Sequence, residues 1–146
     1  MEKNFRLESI LNLREHILDS EREKLINLNN IKDELLDRRA NLNNTIEVNV
    51  NELEIYKRKG RFEFITIYEN YIYNLNLKIE EIDKYIRKLN IEIDKQMKVV
   101  MEARKDKKIM EKLKEKHKDH YEDLQRYLEG KFIDEVNTVK YNEKNH

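Results

Sequence analysis

The residues of this chain that are best suited to chemistry are two histidines in its later part. His117 and His120 lie three positions apart, a spacing that places two imidazoles on one face of a helix, where they could share a metal ion. A metal site also needs further ligands held by a scaffold, and only ordinary charged residues surround this pair. We therefore interpret both as surface histidines and expect no metal.

Neighbouring carboxylates and other catalytic groups are no more promising. Pairs such as Glu80 with Glu81, or Glu34 near Asp37, could act as acid and base only in a concave and partly dry site. The chain has no cysteine, no proline and two glycines, so it offers no thiol nucleophile, no cysteine-ligated zinc and no glycine-rich phosphate loop. The sequence predicts a protein that is not an enzyme and has no cofactor.

The charges exclude two further classes of partner. Thirty Lys and Arg residues balance thirty Asp and Glu residues along the chain, and the two signs interleave, so no net field favours nucleic acid or an anionic membrane. No apolar run approaches the roughly 18 residues needed to span a bilayer, and the first residues lack a signal-peptide core. We expect a cytoplasmic protein with no nucleic-acid partner and no membrane insertion.

Heptad repeats, with positions a to g and an apolar seam at a and d, organise the chain into two helices. The first frame runs from Leu7 to Tyr56, and Ile10, Ile17 and Ile31 widen its stripe by one position. The second frame runs from Ile65 to Leu128. The asparagine-rich stretch at 41–51 alternates polar and apolar residues as a strand does, but the flanking heptads favour helix there.

The two frames differ in phase, which indicates a break between them. Gly60 follows Lys57, Arg58 and Lys59, and cations followed by glycine are typical of a helix end. A short connection makes neighbouring helices antiparallel. The sequence therefore predicts an all-α fold, a long antiparallel two-helix coiled-coil hairpin forming one domain over 1–146, with helix one about 5–58, a turn about 59–62 and helix two about 63–136.

The second helix is predicted to be longer than the first. If the chain reverses at Gly60, Leu7 falls opposite Leu113, and nothing remains to cover the later part of the second seam. An exposed apolar face on a helix marks a binding surface, although fraying of the last turns, with a tail at 137–146, is the alternative. The uncovered residues, here called the C-terminal seam, are Tyr121, Leu124, Leu128 and Phe132.

Aromatic residues gather near the predicted turn. They are candidates for a second contact surface, because aromatic side chains with a polar tip are favoured at interfaces. The alternative is that they close the end of the coiled coil, and the sequence does not discriminate between the two. The candidates are Tyr56, Phe62, Phe64, Tyr68 and Tyr71.

Both ends of the chain carry motifs that heptads alone would not produce. The segment at 5–15, FRLESILNLRE, resembles the start of the FliJ family, small coiled-coil proteins of the flagellar type III export apparatus. The segment at 110–116, MEKLKEK, with Tyr121 and the FIDE run at 132–135, is similar to the family's C-terminal pattern. The residues that match are Phe5, Leu7, Leu11, Arg14, Leu113, Tyr121, Asp134 and Glu135.

This resemblance implies a function. FliJ proteins resemble the central stalk of rotary ATPases, so the partners implied are the export ATPase ring, the export gate protein and export chaperones, and the protein would act at the flagellar base as a monomeric rod. Two other hypotheses stay open. One is a generic scaffold or prefoldin-like holdase, which would need a β-hairpin between its helices and has only residues 46–50 for it. The other is a self-associating helical bundle.

Overall fold

Two long helices account for nearly all of the structure, a computed structural model that describes residues 7–144. Helix α1 spans Glu8–Arg58 and helix α2 spans Phe62–Lys144. The helices pack against each other as an antiparallel coiled-coil hairpin in which α2 is the longer, so the predicted fold class is confirmed. No helix in this described part of the chain is apolar enough over a sufficient length to cross a membrane.

The reversal between the helices is built on Gly60. Its φ angle is 67°, in the left-handed region that glycine adopts without the steric cost of a Cβ atom. The amide of Arg61 donates to the carbonyl of Tyr56 at 3.0 Å and the amide of Gly60 donates to that of Lys57 at 3.2 Å. These two bonds form the Schellman motif that satisfies the last carbonyls of a helix. Glycine is therefore what allows α1 to end here and the chain to turn.

The chain divides into two compact units. The turn unit comprises Glu21–Val100, and the end unit comprises the beginning of the chain up to Ser20 together with the stretch from Met101 onward. In the turn unit the buried residues occupy a and d positions of the two predicted frames, as a coiled-coil seam requires. They are Leu53, Leu75, Ile79, Ile82, Leu89, Ile93 and Val100.

Polar residues in the seam of the turn unit find partners across it. The guanidinium of Arg39 donates to both carboxylate oxygens of Asp83, at 2.7 and 3.4 Å, and this hydrogen bond raises the pKa of Arg39. The amide of Gln96 donates to the carboxylate of Glu21 at 2.6 Å and to its carbonyl at 2.9 Å. Gln96, with Lys24 second, lowers the pKa of Glu21. Partners lie about equally far from Gly60 along the chain, so the observed register is the one that the turn predicts.

The end unit has a shorter buried seam. Leu11, Leu18, Ala103 and Met110 are its buried apolar residues. Two ion pairs join the helices here: Arg14 contacts Asp106 at 3.0 Å, and Lys114 contacts Glu8 at 3.0 Å.

The asparagine-rich stretch is helical throughout, within α1. The hydroxyl of Thr45 donates to the carbonyl of Asn41 at 3.0 Å, and the amide of Asn49 donates to the carbonyl of Thr45 at 2.7 Å. These polar side chains therefore find partners without leaving the helix. No strand occurs between residues 7 and 144, so the segment that a prefoldin-like β-hairpin would need is part of α1.

The second helix continues to Lys144, beyond the end near 136 that the sequence predicted. No proline and no glycine follow Gly130, so nothing in the later sequence interrupts the backbone hydrogen bonds. The segment 137–144, expected as a tail, belongs to α2.

Candidate partner-binding surfaces

The C-terminal seam lies in the end unit, on α2 alone. Tyr121 and Leu124 are half-buried there, whereas Leu128 and Phe132 are 48% and 66% exposed. Burial therefore declines along one helix face while the spacing of apolar residues is maintained. The later part of this face is therefore exposed in the hairpin.

The exposed surface extends further than the sequence indicated. Ile133, Val139 and Tyr141 are 57%, 56% and 68% exposed, and Leu128, Glu129, Phe132 and Ile133 line a shallow depression on the helix. Val139 and Tyr141 were missed because helix two was expected to end near 136. The signal that could have found them is the absence of a helix-breaking residue after Gly130.

The family-matching residues near the start of the chain occupy quite different environments. Phe5 lies outside the described residues. Leu7 is half-buried, and Leu11 is 4% exposed in the seam, so its side chain contributes to the packing of the hairpin. Arg14 is ion-paired with Asp106. The side chain of Arg14 is 40% exposed.

The family-matching residues of the C-terminal pattern are more accessible. Leu113 is 41% exposed, and Asp134 and Glu135 are exposed on α2, nearly two turns after the C-terminal seam residue Leu128. The hydroxyl of Thr138 donates a hydrogen bond to the backbone carbonyl of Asp134 at 2.9 Å. This bond does not involve the carboxylate of Asp134. This end of α2 thus combines apolar residues with carboxylates.

Three of the five aromatic candidates at the turn contact one another. The ring centroid of Tyr56 lies 5.0 Å from that of Phe64 and 5.3 Å from that of Tyr68, in tilted arrangements. The guanidinium of Arg61 lies over the Phe64 ring, 5.2 Å from its centroid. These tilted ring contacts and the contact of Arg61 with Phe64 lie at the turn end of the coiled coil.

Tyr68 is also tied to α1 by a hydrogen bond. Its hydroxyl donates to the carboxylate of Glu52 at 2.8 Å. This bond, with partial desolvation and a second bond to Tyr56, raises the pKa of Tyr68 to about 12, because the phenol must remain protonated to donate.

The other two aromatic candidates face solvent. Phe62 is 73% exposed and Tyr71 is 46% exposed. Tyr56, Phe64 and Tyr68 therefore contact one another at the turn, whereas Phe62 and Tyr71 are exposed, and a partner contact at the turn stays a prediction.

The histidines gain no coordinating set. His117 is partly buried and His120 is exposed, and between residues 7 and 144 no group of three or more histidine or carboxylate side chains converges on one point.

Comparison with known proteins bears on these surfaces through the family alone. No curated protein and no solved structure matches the chain. The family described as flagellar FliJ protein matches residues 2–146, almost the entire length, and therefore covers both terminal motifs and the turn. The chain thus belongs to the FliJ family and is a component of flagellar protein export.

Proposed function

We propose that this protein is a non-enzymatic stalk of the flagellar export apparatus, whose end unit binds the export ATPase ring and promotes its assembly and activity. The observation that carries the proposal is the C-terminal seam. Leu128 and Phe132 continue the apolar spacing of α2 where burial has ended, at 48% and 66% exposure. Exposed apolar residues at helical spacing, next to carboxylates, suit a groove or ring lined by other helices.

The contacts with the other partners are assigned from which aromatic residues at the turn are exposed. In this proposal Phe62 and Tyr71, exposed at the turn, contact the export gate protein. Export chaperones bind the same protein, which works as a monomer on the cytoplasmic side of the flagellar base. Family membership supports partners within the export apparatus in general, and the assignment of each partner to a surface is ours.

Binding to the cognate export ATPase tests the proposal. The variant Leu128→Ser with Phe132→Ser should bind the purified ATPase at least about tenfold more weakly, a loss of roughly 1.4 kcal/mol, because both side chains would be buried in the complex. ATP hydrolysis by the ATPase should then no longer respond to the protein. Isothermal titration calorimetry and a phosphate-release assay measure the two effects.

A matched control uses exposed apolar residues of α2 that lie outside the seam. Leu77 and Ile91 are 39% and 57% exposed. Leu77→Ser with Ile91→Ser removes comparable apolar area and should leave ATPase binding unchanged. If the seam variant binds as well as the control, and Tyr121→Ala with Leu124→Ala also has no effect, the end unit is not the ATPase-binding surface.

A further inference from the structure

A second exposed apolar surface lies on the end unit, separate from the C-terminal seam. We call it the lateral patch. Its residues recur at i, i+3 and i+7 on α1 and at i and i+4 on α2, so each helix contributes one face. They are between 38% and 57% exposed, and they are Ile10, Leu13, Ile17, Ile109 and Leu113.

The two faces border the same side of the hairpin. Ile10, Ile17 and Leu113 each fall one place before an a position, which is position g of the heptad. In an antiparallel pair the g positions of both helices flank one side of the seam and the e positions flank the other. The ion pair between Arg14 and Asp106, at 3.0 Å, joins a d position of α1 to a g position of α2 on this side. The patch is therefore one surface formed by two helices.

The opposite side of the end unit has a different character. Its e positions are occupied by Glu8, Glu15, Arg104 and Glu111, and Glu8 is ion-paired with Lys114 at 3.0 Å. Both sides border the same buried seam, so packing within the hairpin does not explain why one is apolar and the other charged. An apolar surface that the fold itself does not require is typical of a binding site.

The charges around the patch restrict what can cover it. Lys105 and Lys112 flank Ile109 at helical spacing, and Lys116 follows Leu113 by one turn. None of these lysines forms an ion pair with another residue of the 7–144 segment. An occupant that places carboxylates beside them gains favourable electrostatic interactions and a faster encounter.

The patch of a second copy of this chain is a poor partner for the lateral patch. It carries the same three lysines, so pairing patch against patch brings like charges together. We propose instead that the lateral patch docks an amphipathic helix of another protein, whose apolar stripe is bordered by Asp or Glu residues. The α1 part of the patch spans eight residues, from Ile10 to Ile17, an axial distance of about 10 Å that matches roughly two turns of such a partner. An interface of this size suits a transient contact.

This inference does not depend on the proposed function, because it uses neither the C-terminal seam nor the ATPase. Two synthetic helical peptides serve as probes, with the same leucine stripe bordered by glutamates in one and by lysines in the other. Fluorescence anisotropy with the full chain should show the acidic peptide binding at least about tenfold more tightly than the basic one. The preference should weaken with salt, since the lysines are exposed.

Four variants locate the binding. Leu13→Ser with Ile109→Ser should weaken binding of the acidic peptide about tenfold or more. Exchanging Lys105, Lys112 and Lys116 for serine should abolish the preference for the acidic peptide, and these exposed changes leave the buried seam intact. The control variant Leu77→Ser with Ile91→Ser should bind as the unchanged protein does, and so should Leu128→Ser with Phe132→Ser.

A site-specific label gives a second measurement. The chain contains no cysteine, so Ile109→Cys and Ile91→Cys each provide a unique attachment point for a spin label. The acidic peptide should immobilise the label at position 109 and leave the label at position 91 unaffected. Equal binding of both peptides would overturn the proposal. So would binding that only the Leu128→Ser, Phe132→Ser variant removes, or a dimer, seen by sedimentation, that the Leu13→Ser, Ile109→Ser variant dissociates.

Discussion

One helix, α2, carries two different surfaces within the end unit. Ala103 and Met110 are 6% and 7% exposed, because α1 packs against them, whereas Leu128 and Phe132 are 48% and 66% exposed. All four lie on α2 and are apolar. The difference teaches that burial here is decided by the presence of a partner helix, and that the apolar spacing beyond it is not needed for the stability of the hairpin.

The largest expected effect tests the buried side of this comparison. Leu18→Ala should lower the free energy of unfolding by about 2 to 5 kcal/mol, because Leu18 is 2% exposed and its truncation leaves a cavity between the helices. Leu128→Ala should change it by less than about 0.5 kcal/mol. Urea unfolding followed by circular dichroism measures both.

Equal losses from the two variants would contradict the comparison. They would mean that the C-terminal seam is covered in the free protein and contributes to its folded stability.

Substitution of the two glycines by alanine should have the next largest effects on stability, and the two effects should have opposite signs. Gly60→Ala should destabilise the hairpin by about 1 to 2 kcal/mol, because a Cβ atom is strained at a φ of 67°. Gly130→Ala should instead increase helix content and stabilise α2 by about 0.5 to 1 kcal/mol, since a Cβ atom there meets nothing within 4 Å. Thermal unfolding monitored at a helix-sensitive wavelength distinguishes them.

The Gly130→Ala variant sharpens the comparison between the buried and exposed parts of α2, because it changes helix propensity without changing packing. If Gly130→Ala lowers the unfolding midpoint, another group must already pack closely against that part of α2.

The smallest expected effect concerns pH at the turn. The pKa of Tyr68 is raised to about 12 in the folded protein, so its contribution to stability is complete below the ordinary tyrosine value of about 10 and is lost as the pH rises through 12. Tyr68→Phe should therefore reduce the decline in stability between about pH 10 and pH 12. Urea midpoints at several alkaline pH values provide the measurement.

The control for this experiment is Tyr85→Phe, at an exposed tyrosine of α2 in the turn unit. An alkaline decline that Tyr85→Phe reduces as much as Tyr68→Phe would show that the bond to Glu52 is not its source.

Much of the fold could be predicted from local patterns. The two frames predicted which residues are buried, from Leu11 and Leu18 to Val100, because a seam at positions a and d is specified by spacing alone. The turn was predicted from Gly60 and the cations before it. The end of α2 was less predictable: no cap residue marks it, so the helix continues past the point where its apolar spacing fades.

The candidate surfaces were predicted less completely. Phe64 and Tyr71 both occupy g positions, yet Phe64 stacks on Tyr56 and Tyr71 is exposed. Of these two residues, Phe64 is the one that contacts a ring of the opposite helix, that of Tyr56. Arg14 and Leu11, expected to contact a partner, have their principal contacts within the hairpin.

The sequence by itself determined the helices, the turn and the register, because these depend on the spacing of apolar residues and on one glycine. Only the tertiary structure decided which exposed residues share a surface. The lateral patch joins residues of α1 and α2 that are nearly a hundred positions apart in the sequence. The ion pair between Arg14 and Asp106 holds these two parts of the helices side by side. Such a surface depends on how two helices face each other, which no local pattern specifies.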